Sequence, residues 1–170
     1  MNKKKKINKK IYIIGNVASG KTTLAKHLSK KLNIDYYSLD KVIWDDENNH
    51  TKRKEQERDF LFKKIIKKDQ WIIEDVGRNC FKDGREESNF IYFFNLKKRT
   101  IYFRIIKRWL KQKFKLEEYD YKPTISSLIE TFGWAKNYKK NKLKELNIYK
   151  DKLIILTEKD LKRLSNLIEE

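Results

Sequence analysis

Residues 11–28 read IYIIGNVASGKTTLAKHL. A short β-branched and aromatic run, Ile11 to Ile14, meets Gly15. Five residues on, Gly20-Lys21-Thr22 opens a stretch with leucines at 24, 28 and 32. The run has the composition of a strand, and leucines at i, i+4 and i+8 have the period of a helix. Between them, Gly15, Asn16, Val17, Ala18, Ser19, Gly20, Lys21 and Thr22 complete the pattern G-x-x-x-x-G-K-[ST]. Glycines at its ends let the backbone curl so that successive N–H groups converge on phosphate oxygens. The helix that follows adds its positive dipole end. Lys21 reaches the β- and γ-phosphates, the Thr22 hydroxyl suits Mg²⁺, and Thr23 continues the binding segment. Strand, loop, cation and helix stand in the right order, so residues 15–23 are expected to bind a nucleoside triphosphate.

Outward from this loop the chain alternates between strand and helix. Strands are expected at 10–14, 34–40, 71–75, 90–96 and 152–157. Helices are expected at 22–32, 51–68, 99–116, 123–143 and 158–169. The runs WIIED (71–75) and FIYFFNL (90–96) are apolar without alternation, as strands covered on both faces are. Thr157 and Asp160 suggest a capping box for the last helix. Such an order predicts a parallel sheet between two helical layers, with ligands at the carboxyl ends of its strands. Chemistry is therefore expected near residues 15–22, 38–41, 74–78 and 95–99.

Composition narrows the class further. The chain has 170 residues, 39% of them hydrophobic, enough for one domain with a real core. Its single cysteine, Cys80, excludes an internal disulfide framework and suits a reducing compartment, so a cytoplasmic location is expected. No apolar run approaches the length of a membrane span, and no membrane is expected among the partners. His27, His50 and Cys80 lie too far apart for metal-ligand spacing. The net charge is +18, from 42 basic and 24 acidic residues. A basic surface attracts polyanions, so contact with DNA is a competing expectation. Yet the excess is mostly lysine, spread from end to end, and would draw phosphorylated small molecules equally well.

Several stretches together resemble a known group. They are IIGNVASGKTTLAKHLSKKL, YYSLDKVIW, QWIIEDVGRN and RIIKRWLK, followed by KLIIL in the last strand. In this order they are similar to small P-loop kinases of the adenylate-kinase-related group, and most closely to the bacterial "DNA topology modulation protein" family. The resemblance implies a three-layer α/β P-loop kinase fold with about five parallel strands and a helical lid. It also implies an ATP and Mg²⁺ site and transfer of the γ-phosphate to a small acceptor: a nucleoside, a nucleotide or another metabolite. Within one domain over residues 1–170, it suggests a basic tail (1–9), an acceptor-side segment (41–69) and a helical lid insert (96–150).

The resemblance also assigns side chains. Where related kinases read apolar-Asp-Gly-x-x-Arg, this chain reads Ile73-Glu74-Asp75-Val76-Gly77-Arg78. Counting back from Arg78 puts Glu74 at the metal position, with Asp75 as the alternative and an acid where glycine is usual. Asp40 stands where an acid contacts the acceptor and takes its hydroxyl proton, although a helix-capping aspartate would read the same. Trp44 either lines the acceptor pocket or packs. Arg104 and Arg108 fall where lid arginines close over the γ-phosphate. Arginine is scarce here, 8 against 34 lysines, and its use at 78, 99, 104 and 108 suggests bidentate phosphate contacts. The rival expectation is a nucleotide-dependent DNA-binding protein without turnover, in which Asp40 and Arg104 are dispensable.

Overall fold

The structure is a computed structural model that describes residues 9–45, 48, 50–117, 123–138 and 142–169. The basic tail lies almost wholly outside the described residues. In chain order the elements begin with β1 (Lys10–Gly15), α1 (Lys21–Leu32), β2 (Tyr36–Ser38), α2 (Leu39–Ile43) and β3 (Trp44–Asp45). Next come β4 (Thr51–Lys52), α3 (Glu55–Ile66), β5 (Trp71–Asp75), α4 (Lys82–Glu87) and β6 (Phe90–Phe94). The chain then runs through α5 (Lys98–Lys113), α6 (Ile125–Asn137), α7 (Lys142–Leu146), β7 (Leu153–Leu156) and α8 (Glu158–Glu169).

Five parallel strands form one sheet in the order β2-β5-β1-β6-β7. Its two helical layers follow from which side chains each strand sends to which face. Tyr12, Ile14, Trp71, Ile73, Ile91 and Phe93 face one layer and bury Leu39, Val42, Phe62 and Ile65 from α2 and α3. Ile11, Ile13, Ile72 and Phe94 face the other and bury Leu24 and Ala25 of α1. Full burial of each large aliphatic side chain contributes about 1.5–3 kcal/mol. A third, smaller cluster joins α5 to α6 through Ile101, Ile105 and Ala135, with Val17 and Ala18 packed against it. The phosphate loop thus rests on the helical insert as well as on the sheet.

The three-layer expectation holds, and the differences are local. The second strand stops at Ser38, and Asp40 lies in the first turn of α2 rather than at a strand end. Leu39, Val42 and Ile43 are buried at i, i+3 and i+4, a helical period that wins over the strand reading. The charged helix begins at Glu55, because Thr51–Lys52 pairs with Trp44–Asp45 in a small hairpin. The expected helix over 123–143 ends at Asn137.

A short helical stretch over 79–87 was not expected. The sequence NCFKDGREE has no apolar period, and tertiary contacts hold it instead. A Cβ on Gly84 would come within 2.9 Å of both Tyr12 and Phe62. The buried Arg85 donates to the Arg78 carbonyl at 2.8 Å.

Candidate active site

The loop after β1 occupies the point where the sheet order reverses: β5 and β2 lie to one side of β1, β6 and β7 to the other. Ligands of open α/β sheets bind in such crevices. Ala18 and Gly20 both have positive φ, 55° and 101°, and Gly20 is the N-cap of α1. For Ala18 this is a sparsely populated conformation, of the kind held where function needs it. Gly15 has no room for a side chain. A Cβ there would lie 2.7 Å from Ser19 Oγ and 2.8 Å from Phe94 Cβ. Asn16 braces the curl from both ends: its Oδ1 accepts from Val17 N at 2.7 Å, and its Nδ2 donates to the Ala135 carbonyl in α6 at 3.2 Å.

Within the loop, Lys21 is buried and donates to the Asn16 carbonyl at 3.0 Å. Burial lowers its pKa, against the partial support of Glu74, Asp40 and Asp75. The Ser19 hydroxyl is buried without a hydrogen-bond partner among the described residues. Thr22 donates from Oγ1 to Glu74 Oε1 at 3.0 Å. From the insert, Arg104 donates to the Ser19 carbonyl at 2.6 Å. Its charge is disfavoured by burial and partly supported by Glu158. Arg108 lies half-buried four residues on, along the same helix.

The two acids that end β5 point to opposite faces of the sheet. Glu74 follows Ile72 toward α1 and meets Thr22. Asp75 follows Ile73 into the other layer, where it caps the turn, accepting from Gly77 N at 2.7 Å and from Arg78 N at 2.6 Å. It also accepts from the Arg78 guanidinium, whose second nitrogen donates to Asp40 Oδ1 at 2.6 Å. Burial works against the Arg78 charge, but Asp75 and then Asp40 outweigh it and raise its pKa. The acid that replaces the usual glycine is therefore turned away from the loop and holds Arg78.

The structure brings Gly15 to Thr22, Glu74 and Arg104 to one end of the sheet, and Asp40 with Arg78 to its β5 side. Thr23 is exposed on α1. Trp44 packs: it stacks on His50 with ring centroids 5.2 Å apart and leans on the core. Lys142, which sequence reasoning missed, and Glu158 support the surrounding structure. Lys142 is buried and donates to the Gly77 carbonyl and to Glu145, each at 2.8 Å. Glu158 accepts from Lys97 N at 2.7 Å and from Thr100 Oγ1 at 3.1 Å, tying the start of α5 to the end of β7. Nothing in the lysine-rich sequence around 142 marks that lysine out.

No family model matches the chain, and no curated protein matches it in sequence. Solved structures do match. A gluconokinase from Sinorhizobium meliloti 1021 aligns over 89% of this chain and 83% of its own, with TM-score 0.54 and 10% identity. A shikimate kinase from Bacteroides thetaiotaomicron aligns over 94% of this chain and 98% of its own, with TM-score 0.52 and 16% identity. The chain thus shares the fold of these two small-molecule kinases, around a phosphate loop set at the same end of the sheet as Glu74, Asp40 and Arg78.

Proposed function

We propose that this chain is a phosphotransferase that moves the γ-phosphate of ATP to a small hydroxyl-bearing acceptor. The observation that carries the proposal is the Thr22–Glu74 pair, a helix-start hydroxyl 3.0 Å from a buried strand-end carboxylate beside the loop. A hydroxyl and a carboxylate are hard oxygen ligands, so Thr22 and Glu74 are the side chains that would hold Mg²⁺. Bound there with ATP, the ion supplies charge neutralisation at the phosphates.

The chain's own groups do the rest. Backbone N–H groups of residues 15–22 cradle the phosphates. Lys21 exchanges the Asn16 carbonyl for a phosphate oxygen, which gives its desolvated ammonium an anionic partner. Arg104 lies against the loop, where release from the Ser19 carbonyl frees it to meet negative charge on the γ-phosphoryl; Arg108 extends the same helix face. On the acceptor side, Arg78 orients the substrate and Asp40 takes its hydroxyl proton. The acceptor oxygen then bonds to the γ-phosphorus, the bond to the bridging oxygen breaks, and ADP leaves. Such a transfer needs positioning and electrostatic support more than covalent participation.

The narrower resemblance, to the "DNA topology modulation protein" family, is supported by where its stretches lie, since they contribute Lys21, Asp40, Glu74, Arg78 and Arg104. The acceptor is left as a class. ADP production with Mg²⁺–ATP, across nucleosides, nucleoside monophosphates and sugar acids and beside Lys21→Ala, tests the proposal. Stimulation by one class, lost in the variant, is the expected result. If no acceptor stimulates, and duplex DNA binding persists at physiological salt and is strengthened by ATP, the DNA-binding reading replaces it.

A further inference from the structure

Helix α5 has two apolar faces, and the described residues bury only one. Ile101 and Ile105 are buried against α6 and the phosphate loop. Ile106 and Leu110, by contrast, point outward. With Phe103, Phe114 and Leu116 they form one continuous apolar surface lined also by Lys107 and Lys111. Phe103 is 67% exposed, Phe114 68% and Leu116 76%, values that put most of each side chain in water. At 100° per residue, Phe103, Ile106, Leu110 and Phe114 make a stripe about 80° wide. Lys107 and Lys111 border one edge and Lys113 the other. The sixteen residues of α5 carry seven cations and no acid.

We propose that this face of α5 docks on an anionic lipid surface. Contiguous exposed apolar area of this kind marks interaction sites, and the lysine borders select the occupant. The matching surface must be apolar and negatively charged together. A leaflet with anionic headgroups is both; lysine stems lie along the apolar stripe while their ammonium groups reach the headgroups. Duplex DNA supplies the charge without the apolar partner. A second copy of this chain brings another +18 against the first. An acidic amphipathic helix needs a groove with two walls, but every described residue lining this surface comes from 103–116. No described helix is long and apolar enough to cross a membrane. Lying on a membrane is a separate requirement, and the run-length criterion that removed membranes from the expected partners does not test it.

The test is co-sedimentation of the full chain with phosphatidylcholine vesicles and with vesicles containing 30% phosphatidylglycerol, at 150 and 500 mM NaCl. The key variant is F103S/L110S/F114S, which keeps every charge and changes only exposed side chains; circular dichroism checks its fold. Expected is binding to the anionic vesicles alone, part of it surviving 500 mM salt, and a loss of at least tenfold in the variant. A second variant, K107E/K111E, should lose binding at 150 mM salt. Equal binding of wild type and the serine variant would show adsorption by charge alone and overturn the proposal. Absence of vesicle binding overturns it too. So does a dimer in sedimentation that the serine variant abolishes, since a second copy then covers the face.

Discussion

The two sides of the site differ in how their polar groups are occupied. At the phosphate loop they are held loosely for an incoming ligand. Lys21 rests on a neighbouring carbonyl, Arg104 on another, and the Ser19 hydroxyl is buried without a described partner. On the acceptor side the charges already satisfy one another. Arg78 is clamped between Asp75 and Asp40. Arg53 pairs with Asp45 and Glu57 and donates to the carbonyls of Lys41 and Trp44. Arg58 pairs with Asp59 and Glu55. The loop gains contacts when phosphate arrives, whereas an acceptor has to compete with Asp40 for Arg78. Under the proposed function, this contrast puts affinity at the loop and selection at the Arg78 corner.

The strongest way to break this contrast is Lys21→Ala. Loss of one preorganised cation at a transferring phosphoryl group should lower turnover about 10²–10³-fold. The nucleotide-free variant, however, should melt no lower than the wild type, because it gives up a buried, desolvated ammonium rather than a satisfied ion pair. Calorimetry beside the ADP assay separates the two effects. A large drop in melting temperature would mean that Lys21 is a structural residue, and the contrast would fail.

The two acids on Arg78 offer a finer division. The Asp75 side chain is fully buried and receives two backbone N–H groups as well as the guanidinium. Asp75→Asn should lose about 2–3 kcal/mol in urea unfolding and raise the KM for the acceptor while leaving ATP affinity in place. The Asp40 side chain is 59% exposed. Asp40→Asn should change stability by less than about 1 kcal/mol, yet lower kcat about 10²–10⁴-fold as the proton acceptor disappears. Equal stability losses in the two variants would merge the roles assigned to them.

Much of this arrangement was readable from residue types and spacing, and what was missed has physical causes. The phosphate loop and β5 are local: short-range patterns dictate them, and the strand WIIED appears where expected. Asp75 was not readable, because only the register of β5 decides that Glu74 faces α1 and Asp75 the opposite layer. Counting from Arg78 fixed the position of the acid but not the face on which it lies. Lys142 reaches Gly77 across 65 residues, and no local signal reports such a contact. The outer stripe of α5 escaped for a related reason. Two apolar faces on one helix share the same period, and sequence alone does not say which one the fold buries.

A smaller effect tests how rigid the loop is before ligand arrives. Gly15→Ala puts a Cβ 2.7 Å from Ser19 Oγ and 2.8 Å from Phe94 Cβ. Both neighbours are buried, so the loop or β6 has to move, at about 1–3 kcal/mol. Thermal unfolding should register this loss, and nucleotide titration should show weaker binding as the Ser19 end of the cradle shifts. Unchanged ATP affinity would show that the cradle adapts to its ligand instead of waiting preformed.

The smallest effect concerns the contact between the start of α5 and the end of the last strand. Glu158 accepts hydrogen bonds from Lys97 N and Thr100, and the first of these chiefly holds its pKa below the usual carboxylate range. A depressed folded pKa favours the ionised, folded form. The stabilisation is complete above the unfolded value, about 4.3, and is lost as pH falls through the lower folded one. Glu158→Gln keeps the shape but not the charge. It should cost about 1 kcal/mol at pH 6, and the difference from wild type should shrink as the pH falls below the unfolded value and through the lower folded one. Urea unfolding of both proteins between pH 3 and 6 reads this directly. A gap that stays constant over the range would assign the contact to packing, leaving α5 tied to β7 by shape rather than by charge. The Arg104 end of that helix would then be positioned without help from the carboxylate.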